Sequence, residues 1–275
     1  MSVDPDRFRA FERTAHDRIA ESYHDFFTPI TTLAIDALLG AIDLRPGARV
    51  LDVASGPGGV AAAVVTRGGH AVGTDLAPGM VELARRLHPT VEFREADVEA
   101  LPFPDAAFDA VVCNFGLGHF PRPEASVAEC VRVLAPGGAV AFSWWDDPQR
   151  QRVQGLFREA IAEVGAAPPP EVPQGHPLFR FSDSGEFRRL LEGAGLAGVA
   201  VREYGTRHRL PDAEALWRGG LGSLAVTGAT VANQPDAVRE RIKAAFERRA
   251  AAYRTEDGLE VPIAFKIGTG RRLGQ

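Results

Sequence analysis

The chain has 275 residues, 45% of them hydrophobic and 24% charged, which is enough to bury one large core or two modest ones. Its formal net charge of −5 argues against a broad nucleic-acid-binding surface, which needs a basic excess to neutralise phosphates. The two cysteines stand in no metal-ligand spacing, so we expect a reduced, cytoplasmic protein without a metal site. The charged N-terminus and the lack of a run of ~20 apolar residues predict neither a secretory signal nor membrane insertion.

The N-terminal region has the periodicity of helices. Apolar residues recur every three or four positions from Phe8 to Tyr23, which predicts an amphipathic helix over 6–27. A second helix is expected over 29–41, begun by a proline and ended by Gly40.

Apolar strand patterns and helical patterns then alternate along the chain. We expect strands at 48–54, 70–75, 91–94, 109–114, 138–144, 198–205 and 260–269. We expect helices at 58–67, 78–87, 124–134, 151–164, 184–194, 212–226 and 235–253. Such alternation predicts an open α/β sheet with helices on both faces.

Two later segments interrupt the alternation. The proline-rich segment 166–177 is predicted to be a loop, because proline removes backbone donors and breaks helices. The strand-like segments 198–209 and 260–272 are separated by about fifty residues of helical pattern. We expect these two strands to pair at the edge of the sheet, with the helical insertion as a cap within one domain.

A glycine-rich turn, GPGG at 56–59, follows the first strand and opens a helix. Glycines let the backbone approach a ligand closely, and the helix N-terminus offers unpaired N–H groups. Asp75 ends the next strand, where a carboxylate can accept hydrogen bonds from both hydroxyls of a ribose. The turn alone is ambiguous, because GPGGVA at 56–61 also fits the looser GxGxxA fingerprint of NAD sites. A purely structural turn is a third interpretation.

Five motifs in order distinguish these alternatives. They are VLDVASGPG at 50–58, GTDLAPGM at 73–80, EADVEALPF at 95–103, FDAVVC at 108–113 and RVLAPGG at 132–138. In this order and spacing, the segment from about 45 to 145 resembles the class I methyltransferases that use S-adenosylmethionine (SAM), in the UbiE-like branch that acts on small molecules. One departure is Ala54, where the family usually has glycine.

The resemblance implies a fold and a division of the chain. The fold is a Rossmann-like, seven-stranded, mostly parallel sheet whose last strand is antiparallel. The whole chain, 1–275, would be one methyltransferase domain. Residues 1–44 would form helices that cover the cofactor as a lid, 45–145 the SAM-binding core, and 146–275 the substrate side with a helical cap before the last strand.

The resemblance also implies a set of cofactor ligands. We expect SAM to be bound by Tyr23, Asp52, Ala54, Ser55, Gly56, Gly58, Asp75, Leu76, Met80, Asp97, Val98, Cys113 and Asn114. Four of these have a structural alternative. Tyr23 could serve only to pack its helix, because spacing at the helical period is first a core signal. Asp52 could cap nearby N–H groups, Asp75 could begin the helix before Pro78, and Met80 could be a core residue.

His119 is the candidate general base, since it follows the fourth strand on the expected substrate side and histidine titrates near neutral pH. A structural histidine bonded to backbone is the alternative. Phe27, His119, Trp144 and Trp145 are the candidate substrate-binding residues. Strand alternation predicts that one of the two tryptophans faces the pocket, whereas packing beneath the cap would bury both.

The function implied is SAM-dependent methyl transfer to the oxygen, nitrogen or carbon of a small molecule, in secondary metabolism or in the modification of a quinone-like aromatic compound. The alternative within the same fold is a cyclase or pericyclase that keeps SAM without net methyl transfer. An NAD-linked reductase and a non-catalytic partner subunit fit the motifs less well. We expect a monomer or homodimer that binds no nucleic acid.

Overall fold

The computed structural model describes residues 4–274, so the first three residues and the last residue of the predicted domain lie outside the described part. The N-terminal helix, α1, is Pro5–Phe26. It begins where Asp4 accepts hydrogen bonds from the N–H groups of Asp6 and Arg7, both at 3.1 Å, as N-cap residues do. It packs against the helix Pro78–Leu87 and against the cap.

The second predicted helix, 29–41, is divided into three pieces. These are α2, Thr28–Thr31, a 3₁₀ turn, Thr32–Ala34, and α3, Ile35–Ala41. The hydroxyls of Thr31 and Thr32 donate to the carbonyls of Thr28 and Pro29. Such local side-chain bonds compete with a regular α-helical ladder, and they account for the break that the apolar pattern did not predict.

The strands form one mixed sheet. They are β1 (Arg49–Val53), β2 (His70–Asp75), β3 (Glu92–Glu95), β4 (Phe108–Asn114), β5 (Leu134–Trp145), β6 (Leu196–Leu210), β7 (Arg254–Thr255) and β8 (Gly258–Arg272). The order is β3-β2-β1-β4-β5-β8-β6, and the two-residue β7 pairs with β8. Strands β1–β5 are parallel, and β8 lies antiparallel between β5 and β6. The predicted fold class and the pairing of the two late strands are confirmed, with β7 as an eighth, minimal strand.

The remaining helices connect the strands and build the cap. They are α4 (Gly59–Thr66), α5 (Pro78–Leu87), α6 (Pro123–Val133), α7 (Arg152–Val164), α8 (Ser184–Gly193), α9 (Ala213–Ser223), α10 (Ala225–Ala232) and α11 (Asp236–Ala250). The predicted helix 212–226 is wrong in one respect. Leu224 is extended, with φ −103° and ψ 92°, and it separates α9 from α10.

The sheet order fixes where a ligand can bind. The chain runs outward from β1 through β2 to β3, then returns to place β4 on the other side of β1. Such a reversal opens a crevice at the carboxyl ends of the central strands. Both β1 and β4 are buried beneath it, with Leu51 and Val111 fully inaccessible. Between residues 4 and 274, no helix is both long and apolar enough to cross a membrane.

Candidate active site

A cavity lies at the crevice predicted by the strand order. We call it the Gly-loop cavity, because its floor is the turn after β1. Its lining includes nine of the predicted cofactor residues, namely Tyr23, Ala54, Gly56, Asp75, Leu76, Met80, Asp97, Val98 and Asn114. Ser55 lines a small recess beside it. The structure therefore brings residues from three separate motifs, the residue that follows a fourth, and a residue of α1 to one place.

The glycine-rich turn adopts left-handed backbone conformations. Gly56 has φ +51° and Gly58 has φ +86°, and Ala54 has φ +53°. Only glycine enters this region without a steric cost. The glycine that the family usually has at position 54 thus has a physical reason, and this chain accepts local strain there.

Gly58 has a second constraint, which is steric. A Cβ atom at this position would lie 2.5 Å from Cζ of Phe93. Gly58 lines neither the cavity nor the recess, contrary to its predicted role as a cofactor contact. Its absent side chain instead gives β3 room to pack behind the turn.

Asp75 fixes the loop from the end of β2. Its Oδ2 accepts the N–H of Gly56 and its Oδ1 accepts the N–H of Ala77, both at 2.9 Å. Burial raises the pKa of Asp75, although the two N–H bonds oppose that shift. The carboxylate is held in a fixed orientation at the cavity, with acceptor capacity left for a ligand.

Asp52 lies beneath the turn, in β1, and does not line the cavity. Its Oδ2 accepts the N–H of Ala61 at 3.0 Å, so the capping role that was the alternative interpretation is present. Its Oδ1 and the buried Oγ of Ser55 have no hydrogen-bond partner among the described residues. Burial raises the pKa of Asp52 to about 8.

Helix α1 covers the cavity through charged contacts. Arg9 lies 2.7 Å from Oδ2 of Asp97 and 2.7 Å from Oε2 of Glu99, and Arg13 lies 2.6 Å from Oε1 of Glu95. The predicted ligand Asp97 therefore faces the cavity while paired with the helix above it. These contacts place α1 where a lid would be.

Neighbouring residues of β4 point in different directions at its carboxyl end. Asn114 lines the cavity, and it donates to the carbonyl of Thr31 at 3.0 Å while its Oδ1 accepts the Ser143 hydroxyl at 2.7 Å. Cys113 is fully buried in the core and lines no part of the cavity. The prediction that Cys113 contacts the cofactor is wrong, because side chains alternate along a strand. Burial raises the pKa of its thiol well above the usual value, so it remains an inert core group.

His119 lies at the end of a short 3₁₀ turn, Leu117–His119, after β4. Its Nδ1 is 3.0 Å from Oε2 of Glu12, and Nδ1 of His16 is 3.1 Å from the same oxygen. Burial raises the pKa of Glu12, but His119 and His16 outweigh burial and lower it to about 2. Burial lowers the pKa of His16, but its bonds to Glu12 outweigh burial and raise it to about 9.

A second cavity, of about 300 Å³, adjoins the first. We call it the aromatic cavity, since its walls include Phe27, Phe115, Trp144 and Trp145. The rings of Phe115 and Trp145 stack with centroids 3.7 Å apart, and Nε1 of Trp144 donates to the carbonyl of Leu178 at 2.8 Å. Both tryptophans line the cavity, although strand alternation predicted one, because the cavity lies at the end of β5.

The two cavities have a common wall. Its residues are Glu12, His16, Tyr23, Phe115 and His119. Glu12, His16 and Phe115 were missed from the sequence. Glu12 and His16 belong to a helix whose charged positions are mostly solvent-exposed, and only the three-dimensional meeting with His119 sets them apart. Phe115 is distinguished by its backbone, which has a positive φ of 59°. This conformation could not be predicted from the sequence.

The sequence of this region matches a known family. Residues 51–142 match the family model described as a methyltransferase domain. Similar curated relatives are the demethylmenaquinone methyltransferases of Clavibacter sepedonicus, 40% identical over 122 residues, and of Thermus thermophilus, 42% identical over 133 residues. These matches cover 42% and 45% of this chain and 50% and 60% of the relatives. The chain therefore spans little more than half the length of the relatives it matches.

Solved structures share the fold at low identity. The YcgJ protein of Bacillus subtilis has a TM-score of 0.56 at 20% identity, over 89% of this chain and all of that one. The [4+2]-cyclase SpnF has a TM-score of 0.52 at 19%, over 88% and 82%. A phosphoethanolamine N-methyltransferase of Haemonchus contortus, solved with S-adenosylhomocysteine (SAH), has a TM-score of 0.53 at 17%, over 88% and 52%.

Together, the sheet order, the glycine-rich turn and the match of residues 51–142 to the methyltransferase-domain model are those of a class I methyltransferase domain, a class whose cofactor is SAM. Within the class, 42% and 45% of the chain is similar to the two demethylmenaquinone methyltransferases.

The site residues fit this cofactor. Asp75 offers carboxylate oxygens at the end of β2, where a ribose would be held. Beside it, the recess is lined by Thr28 and Ser55, whose buried hydroxyls have no partner among residues 4–274, and Asp52 has an unpartnered oxygen nearby. Buried polar atoms without partners are rare. Thr28 and Ser55 would hold the charged amino-acid end of SAM, while Leu76 and Met80 would contact its base.

Proposed function

We propose that this protein transfers the methyl group of SAM to an apolar, aromatic small molecule seated in the aromatic cavity. The observation that supports the proposal is the common wall, because the same few residues line both the Gly-loop cavity, where SAM would bind, and the aromatic cavity, where an acceptor would sit. SAM supplies a methyl group already activated by its sulfonium. The protein therefore has to align donor and acceptor and exclude water.

The walls of the aromatic cavity select the acceptor. Phe27 packs edge-on to Trp145 at 5.6 Å, and Trp145 stacks on Phe115, so aromatic rings form part of the wall. Such walls favour a planar ring, and about 300 Å³ is at the lower end of small-molecule sites. A quinone-like or other phenolic ring fits these features, and the curated relatives are named for methylation of demethylmenaquinone.

His119 would act where the acceptor carries a proton. The acceptor atom forms a bond to the methyl carbon, the carbon–sulfur bond breaks with its electron pair going to sulfur, and the acceptor's proton passes to Nε2 of His119. A phenol or a carbon acid needs this step, and a base in position accelerates it by about 10² to 10⁴-fold. The location of His119 in the common wall supports this role.

The structure offers no observation that supports the alternative function, a cyclase that keeps SAM without transferring its methyl group. The likeness to SpnF, at 19% identity, is a likeness of fold, and fold alone does not determine chemistry. No contact in the aromatic cavity favours a cyclisation over a transfer. The two differ in product mass.

The test is a transfer assay with methyl-labelled SAM. The protein is incubated with a panel of phenols, hydroquinones and naphthoquinols, and products are identified by mass. We expect label in at least one ring compound, with the gain of one methyl group. Trp145→Phe should weaken acceptor use, whereas Trp217→Phe, a buried tryptophan outside the aromatic cavity, should not. Label transfer to none of the ring compounds, or equal effects of both variants, would contradict the proposal.

A further inference from the structure

Glu12 of α1 contacts His119 across the boundary between the lid and the core. The Glu12 side chain is 10% exposed, and a carboxylate so buried needs hydrogen-bond donors. Two imidazole nitrogens, Nδ1 of His119 and Nδ1 of His16, supply them at 3.0 and 3.1 Å. Among residues 4–274, the ring of His119 forms no other hydrogen bond.

We propose that Glu12 is the positioning residue for the base: its carboxylate holds the proton of His119 on Nδ1 and thereby leaves Nε2 as the acceptor that faces the substrate. This inference rests on the proposed function. The hydrogen bond at one ring nitrogen decides the tautomer and orientation of the other, as a carboxylate does for the histidine of hydrolase triads. Glu12 itself touches no reacting atom.

Glu12 lies on α1, the helix that covers the Gly-loop cavity, so its contact with His119 depends on how α1 is docked. Helix α1 is docked by separate contacts at both ends, from Arg9 with Asp97 to Glu21 with Arg86. While α1 is docked, it covers the Gly-loop cavity and brings Glu12 to His119. When α1 lifts to admit a ligand, His119 loses its partner. The base is therefore complete only when the site is covered, which couples proton abstraction to the exclusion of water.

A metal ion is the competing explanation for this cluster. The donor atoms of Glu12, His16 and His119 lie within 4.8 Å of one another, close enough to hold an ion. However, Nδ1 of His16 also lies 3.0 Å from the main-chain carbonyl oxygen of Glu12. A carbonyl only accepts hydrogen bonds, so this Nδ1 carries a proton. A nitrogen that binds a metal has to be deprotonated, so Nδ1 of His16, the nitrogen that faces the Glu12 carboxylate, is a hydrogen-bond donor and not a metal ligand.

The other titratable groups near His119 do not replace Glu12. Asp75 and His176 interact with it through their charge, and His16 packs edge-on at 4.9 Å. Asp75 is occupied by two backbone N–H groups. The tautomer of His119 therefore depends on Glu12.

The experiment is ¹⁵N NMR of the full-length protein labelled at histidine, with the His119 signals assigned by His119→Gln. In the parent, Nδ1 of His119 should give a protonated signal and Nε2 an unprotonated one. Glu12→Ala should convert His119 to the mixture of tautomers of an unrestrained imidazole, and Glu12→Gln, which keeps an acceptor oxygen, should restore the parent pattern in large part. Glu21→Gln is the matched control, since it removes an exposed ion pair of the same helix that is worth little.

Several results would overturn the inference. One is an unchanged His119 tautomer in Glu12→Ala, and another is an equal change in Glu21→Gln, which would assign the effect to helix docking. A third is stoichiometric binding of Zn²⁺ by the parent with loss of the Nδ1 protons, since the cluster would then be a metal site. Calorimetry with SAH on the same samples distinguishes a failure of the proposed function from a failure of the inference about Glu12. If the parent fails to bind SAH, the proposed function fails, whereas the tautomer result stands independently.

Discussion

Gly58 and Gly56 of the glycine-rich turn have different roles. Alanine at Gly58 should mainly lower the stability of the fold, and alanine at Gly56 should also weaken cofactor binding. Gly58→Ala places a Cβ 2.5 Å from Cζ and 2.8 Å from Cε1 of Phe93. Phe93 is 3% exposed and packs in a small buried cluster with Val81 and Val91, so its ring has little room to move. Gly56→Ala meets no atom within 4 Å, yet Gly56 lines both the Gly-loop cavity and the recess.

The expected loss of stability in each variant is the sum of a backbone cost and an overpacking cost. A non-glycine residue in the left-handed region costs roughly 1–2 kcal/mol, and this applies to Gly58, Gly56 and the distant Gly47, whose φ is +78°. Overpacking adds roughly 1–3 kcal/mol, and only Gly58 incurs it. Alanine also reduces the entropy of the unfolded chain, but that gain is common to the three variants and cancels. We therefore expect losses of about 2–5 kcal/mol for Gly58→Ala and about 1–2 kcal/mol for the other two.

The assay is urea unfolding, followed by SAH calorimetry at a temperature where each variant is folded. Gly58→Ala should be the least stable variant. Gly56→Ala should match Gly47→Ala in stability but bind SAH more weakly. The reasoning fails if Gly58→Ala is no less stable than Gly47→Ala, or if Gly56→Ala binds SAH as the parent does.

Further predictions concern the pH dependence and the common wall. In the folded state His16 has a pKa of about 9, above its ordinary value of 6.5. The free energy of unfolding should therefore fall by on the order of 2 kcal/mol as pH rises from 6.5 to 9. Urea titrations of Glu12→Gln should show a smaller fall. Asp52, with a pKa of about 8, also binds a proton more tightly when folded, so stability declines as pH rises between its ordinary value and 8; Asp52→Asn should flatten that part of the profile. Gly118→Ala places a Cβ 1.9 Å from Cζ2 of Trp144, and it should lower stability by about 1–3 kcal/mol and abolish transfer while SAH binding persists.

The architecture could be predicted because its signals are local. The buried central strands are continuous apolar runs, as in β1, and α1 repeats apolar residues at the helical period. The five motifs then fix the position of the Gly-loop cavity. At the sheet edge, the strand-like segment 198–209 matches β6, Leu196–Leu210, to within two residues at each end.

The remaining features depend on contacts between distant segments. Glu12 looks like any charged position on a surface helix until the fold brings it to His119, more than a hundred residues later. Likewise, the extended conformation of Leu224 lets the chain between α9 and α10 line the aromatic cavity, although Gly222 is the only sequence signal within two residues of the break. Cys113 was misplaced by one step of strand alternation.

Binding of SAH tests the central claim most directly, because the proposed function needs this cofactor site. Calorimetry of the parent should give a one-to-one complex, and Asp75→Ala should weaken it by about tenfold or more, as expected for the loss of a charged hydrogen-bonding group. The exposed Asp36, on α3, provides the matched control, and Asp36→Ala should bind as the parent does. A parent that binds no SAH, or an Asp75→Ala variant that binds it unchanged, would contradict the account.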